Sequence, residues 1–117
     1  MSPFADPCGL SGSNYSERYG DVELFLALMG TGTTRSLYVL TAREADSRRL
    51  MFDLRVEVGL DDLMARARRS NRPADDELRD IALSYARYLV DTGAFRRAPH
   101  FRLQVGVEAE VLTPVKR

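Results

Sequence analysis

Cysteine, histidine and lysine each occur once in these 117 residues. Cys8 alone allows no internal disulfide, which fits a reducing compartment. With His100 as the only imidazole, no Cys/His spacing suits zinc, and no Asp-x-Asp-x-Asp-Gly loop suits calcium. A Cys8–His100 nucleophile pair would need a rigid frame around Cys8, and the sequence there provides none. Long apolar runs are missing as well: none approaches the ~18 residues of a membrane span. The start, M-S-P-F-A-D-P-C-G, has neither the basic residues nor the apolar block of a signal peptide. A cytoplasmic protein without a membrane partner is the expectation. Net charge of either sign is also lacking. The 17 basic and 17 acidic residues balance, so the whole molecule has no bias toward nucleic acid or anionic membrane. The glycine-rich Gly30–Thr34 (G-T-G-T-T) lacks the lysine of a phosphate loop and precedes a strand-like stretch. It reads as a hairpin loop, and no cofactor is implied.

What is present is ordinary globular material, 44% apolar and 29% charged, enough for one domain with a core of its own. The most legible stretch is Ala74–Gly93. Leu78, Ile81, Ala82, Tyr85 and Leu89 recur at helical spacing and form one apolar stripe. Asp75 and Asp76 place negative charge and a capping oxygen at the start, and Gly93 stands where a left-handed residue closes a helix. A shorter helix is expected over Asp61–Ser70, with Leu60, Leu63, Met64 and Ala67 as its apolar side. Asp62 precedes Arg66 by four residues, a stabilising helical pair, and Asn71-Arg72-Pro73 ends the helix.

Two stretches alternate as strands with one wet face. In Arg49–Val58, Leu50, Phe52, Leu54, Val56 and Val58 point one way; in Phe101–Val111, Phe101, Leu103, Val105, Val107, Ala109 and Val111 do. Asp21–Met29 has the composition of a helix but alternates like a strand; the loop and the strand-like Ser36–Ala42 behind it favour strand. Residues 1–20, with their prolines, glycines and Ser/Asn cluster, read as an irregular N-terminal arm partly laid on the body. The expected order over 21–117 is β-β-β-α-α-β. That is a single α+β domain, an antiparallel sheet of about four strands with two helices packed on one face.

Chemistry is thin. His100, placed in a loop after Pro99, reads as a solvated side chain. Asp75, Asp76 and Asp80 read as helix-start acids rather than metal ligands. Arg66, Arg68, Arg69 and Arg72 form a basic cluster that can grip phosphates. However, the five basic and six acidic residues between 61 and 80 leave that segment at 5 − 6 = −1.

The sharper anomaly is apolar. As strands, 22–29 and 36–42 are apolar on both faces: Val22, Leu24, Leu26, Leu28, Leu37 and Val39 on one, Phe25, Ala27, Met29, Tyr38, Leu40 and Ala42 on the other. Two helices cover one face only, and a bare apolar patch usually marks a contact. Phe25, Met29, Tyr38 and Leu40 are therefore the expected contact surface, for the arm, a second copy of the chain or another protein. The functional expectation is a small non-catalytic protein-binding factor (an inhibitor, adaptor or accessory subunit). The alternative is nucleic-acid binding or regulation through the arginine-rich helix, and a small enzyme without His/Cys chemistry comes third.

Overall fold

The computed structural model describes residues 14–31 and 35–115, with backbone only at 28–31, 35 and 36. Six strands and two helices follow in the order β1 (Tyr15–Tyr19), β2 (Val22–Thr31), β3 (Arg35–Glu44), β4 (Leu50–Gly59), α1 (Leu60–Ser70), α2 (Ala74–Thr92), β5 (His100–Val105) and β6 (Glu110–Pro114). All six strands form one sheet in sequence order. The pairings are antiparallel except for β4 and β5, which are parallel. The class is α+β as expected, but the sheet is larger than four strands and mixed. The parallel joint has a simple cause. A tight turn can only reverse a strand, whereas α1 and α2 together carry the chain back to the starting edge of β4.

The two additional strands arise at the ends of the sheet. Tyr15–Tyr19, expected in the arm, alternates inward Tyr15, Glu17 and Tyr19 with outward Ser16 and Arg18, and pairs with β2 through a two-residue turn at Gly20-Asp21. Gly20 has φ 62°, a conformation that glycine adopts without cost. Hydrophobic alternation does not reveal this strand, because a glutamate stands between the two inward tyrosines. Glu17 accepts from Arg87 of α2 at 2.6 Å, and the Tyr19 hydroxyl donates to Asp91 at 2.8 Å. At the other end, the expected strand Phe101–Val111 is broken by a turn in which the Gly106 N–H donates to the Ala109 carbonyl at 2.8 Å. The break changes the phase: Phe101, Leu103 and Val105 are buried, but beyond the turn Leu112 faces the core and Val111 the solvent.

Both helices lie on one face of the sheet. Leu63 and Ala67 of α1 and Leu78, Ala82, Leu83, Ala86 and Leu89 of α2 are buried there, while Ile81 and Tyr85 pack against the cluster from its rim. Met64, expected on the inner side of α1, is half exposed. Gly93 closes α2 in the left-handed region, φ 71°, with its N–H on the Leu89 and Val90 carbonyls. The capping oxygen expected from Asp75 and Asp76 is not used: Pro73 precedes the first turn, and no side chain caps it. The acids there act through charge, opposite the free N–H groups.

Register decides which apolar face is covered. Leu24, Leu26 and Leu28 stand opposite Ala42, Leu40 and Tyr38. Residues opposite one another across a ladder share a face, so Tyr38 and Leu40 belong with Leu24 and Leu26 under the helices. The expected division of β2 against β3 is thereby reversed. A bulge between Leu28 and Gly30 and the length of the turn set this register, and a slip of one residue exchanges the two faces. The turn itself, residues 32–34 of the expected hairpin loop, lies outside the described residues.

Candidate functional site

The sheet face away from the helices carries the site. Its first row crosses the strands as Ser16, Phe25, Thr41, Asp53 and His100, and its second as Ala27, Val39, Arg55, Arg102 and Thr113. Leu37, Glu57, Gln104 and Val111 form a third. Phe25 is 46% exposed, and Ala27, Leu37 and Val39 beside it are half-buried. Together these four make an apolar patch two strands wide. Among the described residues no helix lies over it. Next to Phe25 a depression of about 390 Å³ is lined by Ser16, Glu23, Thr41, Arg43 and Arg48.

The four residues expected on one contact surface do not share one. Phe25 is on the open face. Tyr38 and Leu40 are completely buried in the core beneath the helices. The Met29 side chain lies outside the described residues, as do residues 1–13 of the arm with Cys8, Phe4 and Leu10. In place of Tyr38 and Leu40 the register brings Leu37 and Val39 beside Phe25. Both were legible as apolar; the face they occupy was not.

Charge surrounds the patch unevenly. Each carboxylate of this face is engaged: Glu23 with Arg48 at 3.4 Å, Asp53 with His100 at 2.9 Å and Glu57 with Arg102 at 3.5 Å. The cations are not all matched. Arg18 donates to the Gly20 carbonyl and Arg43 to the Arg48 carbonyl, each at 3.0 Å, and among the described residues neither they nor Arg55 form an ion pair. Arg55 also stands beside Arg102 in the β4–β5 register, where like charges repel.

His100 is the first residue of β5, not a solvated loop residue. Its Nδ1 meets Asp53 Oδ2, and both side chains are about three-quarters buried. A carboxylate on Nδ1 fixes the orientation of the ring and leaves Nε2 for a second polar contact. The signal for this pair was absent from the sequence, because it depends on the parallel joint.

The arginine cluster of α1 is mostly occupied. Arg66 is 15% exposed and lies 2.9 Å from Glu110 of β6 and 4.0 Å from Glu77 of α2. It also donates to the Gly106 carbonyl at 2.8 Å and the Val107 carbonyl at 3.2 Å. The helical pair expected with Asp62 is replaced by this bridge. Arg69 pairs with Glu108 at 3.4 Å, and Arg72 with Asp80 and Glu77. Arg68 is exposed. Asp76 pairs with Arg79 at 3.0 Å and Asp80 with Arg72, so two of the three acids considered for a cation are held by arginines. Among the described residues no three His, Cys, Asp or Glu side chains are placed to hold a metal, and no helix is long and apolar enough to cross a membrane. Family models, curated proteins and solved structures were compared with the chain, and none matches it.

Proposed function

We propose that the chain is a small non-catalytic protein-binding factor that uses the open sheet face around Phe25. One observation carries the reading: Phe25, Ala27, Leu37 and Val39 form a contiguous apolar patch on the side of the sheet that, among the described residues, no helix covers. Interface centres are enriched in aromatic residues and surrounded by a polar rim, and this face has that composition. The depression beside Phe25 adds a recess for a partner's side chain.

The test is site-specific photo-crosslinking in cells. A crosslinker replaces Phe25 in one chain and Tyr88, exposed on α2, in another. A discrete protein adduct from position 25, absent from position 88 and abolished by Val39→Asp in a chain that still melts cooperatively, supports the reading. Equal adducts at both positions, or none at 25, reject it.

A further inference from the structure

The rim of the open face differs from its centre in a way that specifies the partner. Four arginines (Arg18, Arg43, Arg55 and Arg102) and three carboxylates (Glu23, Asp53 and Glu57) project from this side of the strands. The carboxylates are already held by Arg48, His100 and Arg102. Arg18, Arg43 and Arg55 have no acid of their own among the described residues. Arg43 stands two positions along β3 from Thr41, at one end of the patch, and Arg55 flanks Val39 from β4. The cations thus border the apolar centre on two sides. Arg55 and Arg102 repel as neighbours in register unless an anion bridges them.

We propose, on the basis of the binding face assigned above, that the partner is an acidic amphipathic helix, with its apolar stripe on Phe25, Ala27, Leu37 and Val39 and its flanking carboxylates on Arg43 and Arg55. A helix is about 10 Å across, which matches two to three strands spaced about 4.8 Å apart. The opposite face of this same sheet already accepts two helices on side chains of the same kind. Arginine's planar fork suits carboxylates, and complementary rims fix orientation and accelerate encounter.

Two synthetic helical peptides of about five turns test this, with an identical leucine stripe and either glutamate or lysine on the remaining positions. Binding to the full chain is read by fluorescence anisotropy. The acidic peptide is expected to bind at least about tenfold tighter than its basic twin at low salt, and the preference to shrink as salt rises. Arg43→Glu with Arg55→Glu should reverse it, while Arg68→Glu on α1 should leave it unchanged. Charge-blind binding, a basic preference, no binding of either peptide, or a preference that survives the double reversal overturns the proposal. The crosslinking result is independent: a discrete adduct at position 25 with no acidic preference keeps the binding face and removes only the acidic helix.

Discussion

Arg66 of α1 and Glu110 of β6 meet at 2.9 Å, joining the first helix to the last strand across the Gly106–Ala109 turn. The Tyr85 hydroxyl donates to the same glutamate at 3.1 Å. Removing one partner from a mostly buried pair leaves the other charge stranded. Arg66→Ala is expected to cost about 2–4 kcal/mol, less than a fully buried pair because both side chains retain some exposure. Arg68→Ala on the same helix should fall within about 0.5 kcal/mol. Chemical denaturation of the two variants checks both figures, and equal losses would contradict the structural role of Arg66.

The buried face of α2 and the open face of β2 should respond unequally to truncation. Leu89 is fully buried, so Leu89→Ala is expected to cost about 2–5 kcal/mol. Phe25→Ala, despite removing a larger side chain, should cost under about 1 kcal/mol, since much of that ring is already in water. Denaturant titrations with unchanged slope test the pair. A large loss at Phe25 would mean that the ring is core rather than contact surface.

Gly93 has φ 71°, and a Cβ there would meet only Arg96 side-chain atoms at ordinary contact distance, 3.6 Å and beyond. Backbone strain alone therefore sets the penalty, and Gly93→Ala should destabilise by about 1–2 kcal/mol. Gly93→Asn, which tolerates this conformation better, should lose less. Thermal melts rank the three chains.

At alkaline pH two tyrosines should resist ionisation. Burial, then the hydrogen bond to Glu110, raises the Tyr85 hydroxyl above its usual value; for Tyr19 the bond to Asp91 is the main cause and burial the second. A raised value in the folded chain means that the unfolded chain releases the proton first. The stability tied to each group is therefore complete below about pH 10 and is lost as pH climbs through the folded value. Tyrosinate absorbance should show late-titrating groups that disappear in Tyr85→Phe and Tyr19→Phe, and melting temperatures above about pH 10 should fall less steeply in those variants. Ordinary titration of every tyrosine would refute the two bonds.

Much of the framework was readable from local pattern. The stripe of α2, its glycine stop and the alternation of β4 are local signals, and each reappears in the fold, except that a bulge in the β3–β4 register leaves Leu50, expected inside, exposed. What escaped depended on non-local pairing or on polar substitution for apolar contacts. Tyr15–Tyr19 turns a glutamate inward and satisfies it with Arg87, a pattern that hydrophobic periodicity does not recognise. Gly106 splits one apparent strand into two with opposite phase. The open face was anticipated as apolar, but its members hinge on a register that the alternation of β2 and β3 leaves free by one residue. That is why Tyr38 and Leu40 exchange places with Leu37 and Val39. The Asp53–His100 contact, 47 residues apart in the chain, left no local trace at all.

The parallel joint divides the order in which the sheet can assemble. Every antiparallel ladder connects neighbours through a turn, so β1 to β4 can zip by successive hairpins, and β5 with β6 by another. The β4–β5 pairs, from Asp53 with His100 to Val58 with Val105, each span 47 residues (100 − 53 and 105 − 58). They form only after both helices have turned the chain back. Closing that long loop costs entropy that only the packing of the two helices on β2 to β4 can offset beforehand. Substitutions on β2 and β3 should therefore slow folding, whereas those between β4 and β5, such as Leu54 or Leu103, should mainly hasten unfolding. The patch around Phe25, Ala27, Leu37 and Val39 lies wholly on the early hairpins. If those hairpins form first, as the folding-rate test would show, a nascent chain displays the surface by which the finished one is proposed to bind.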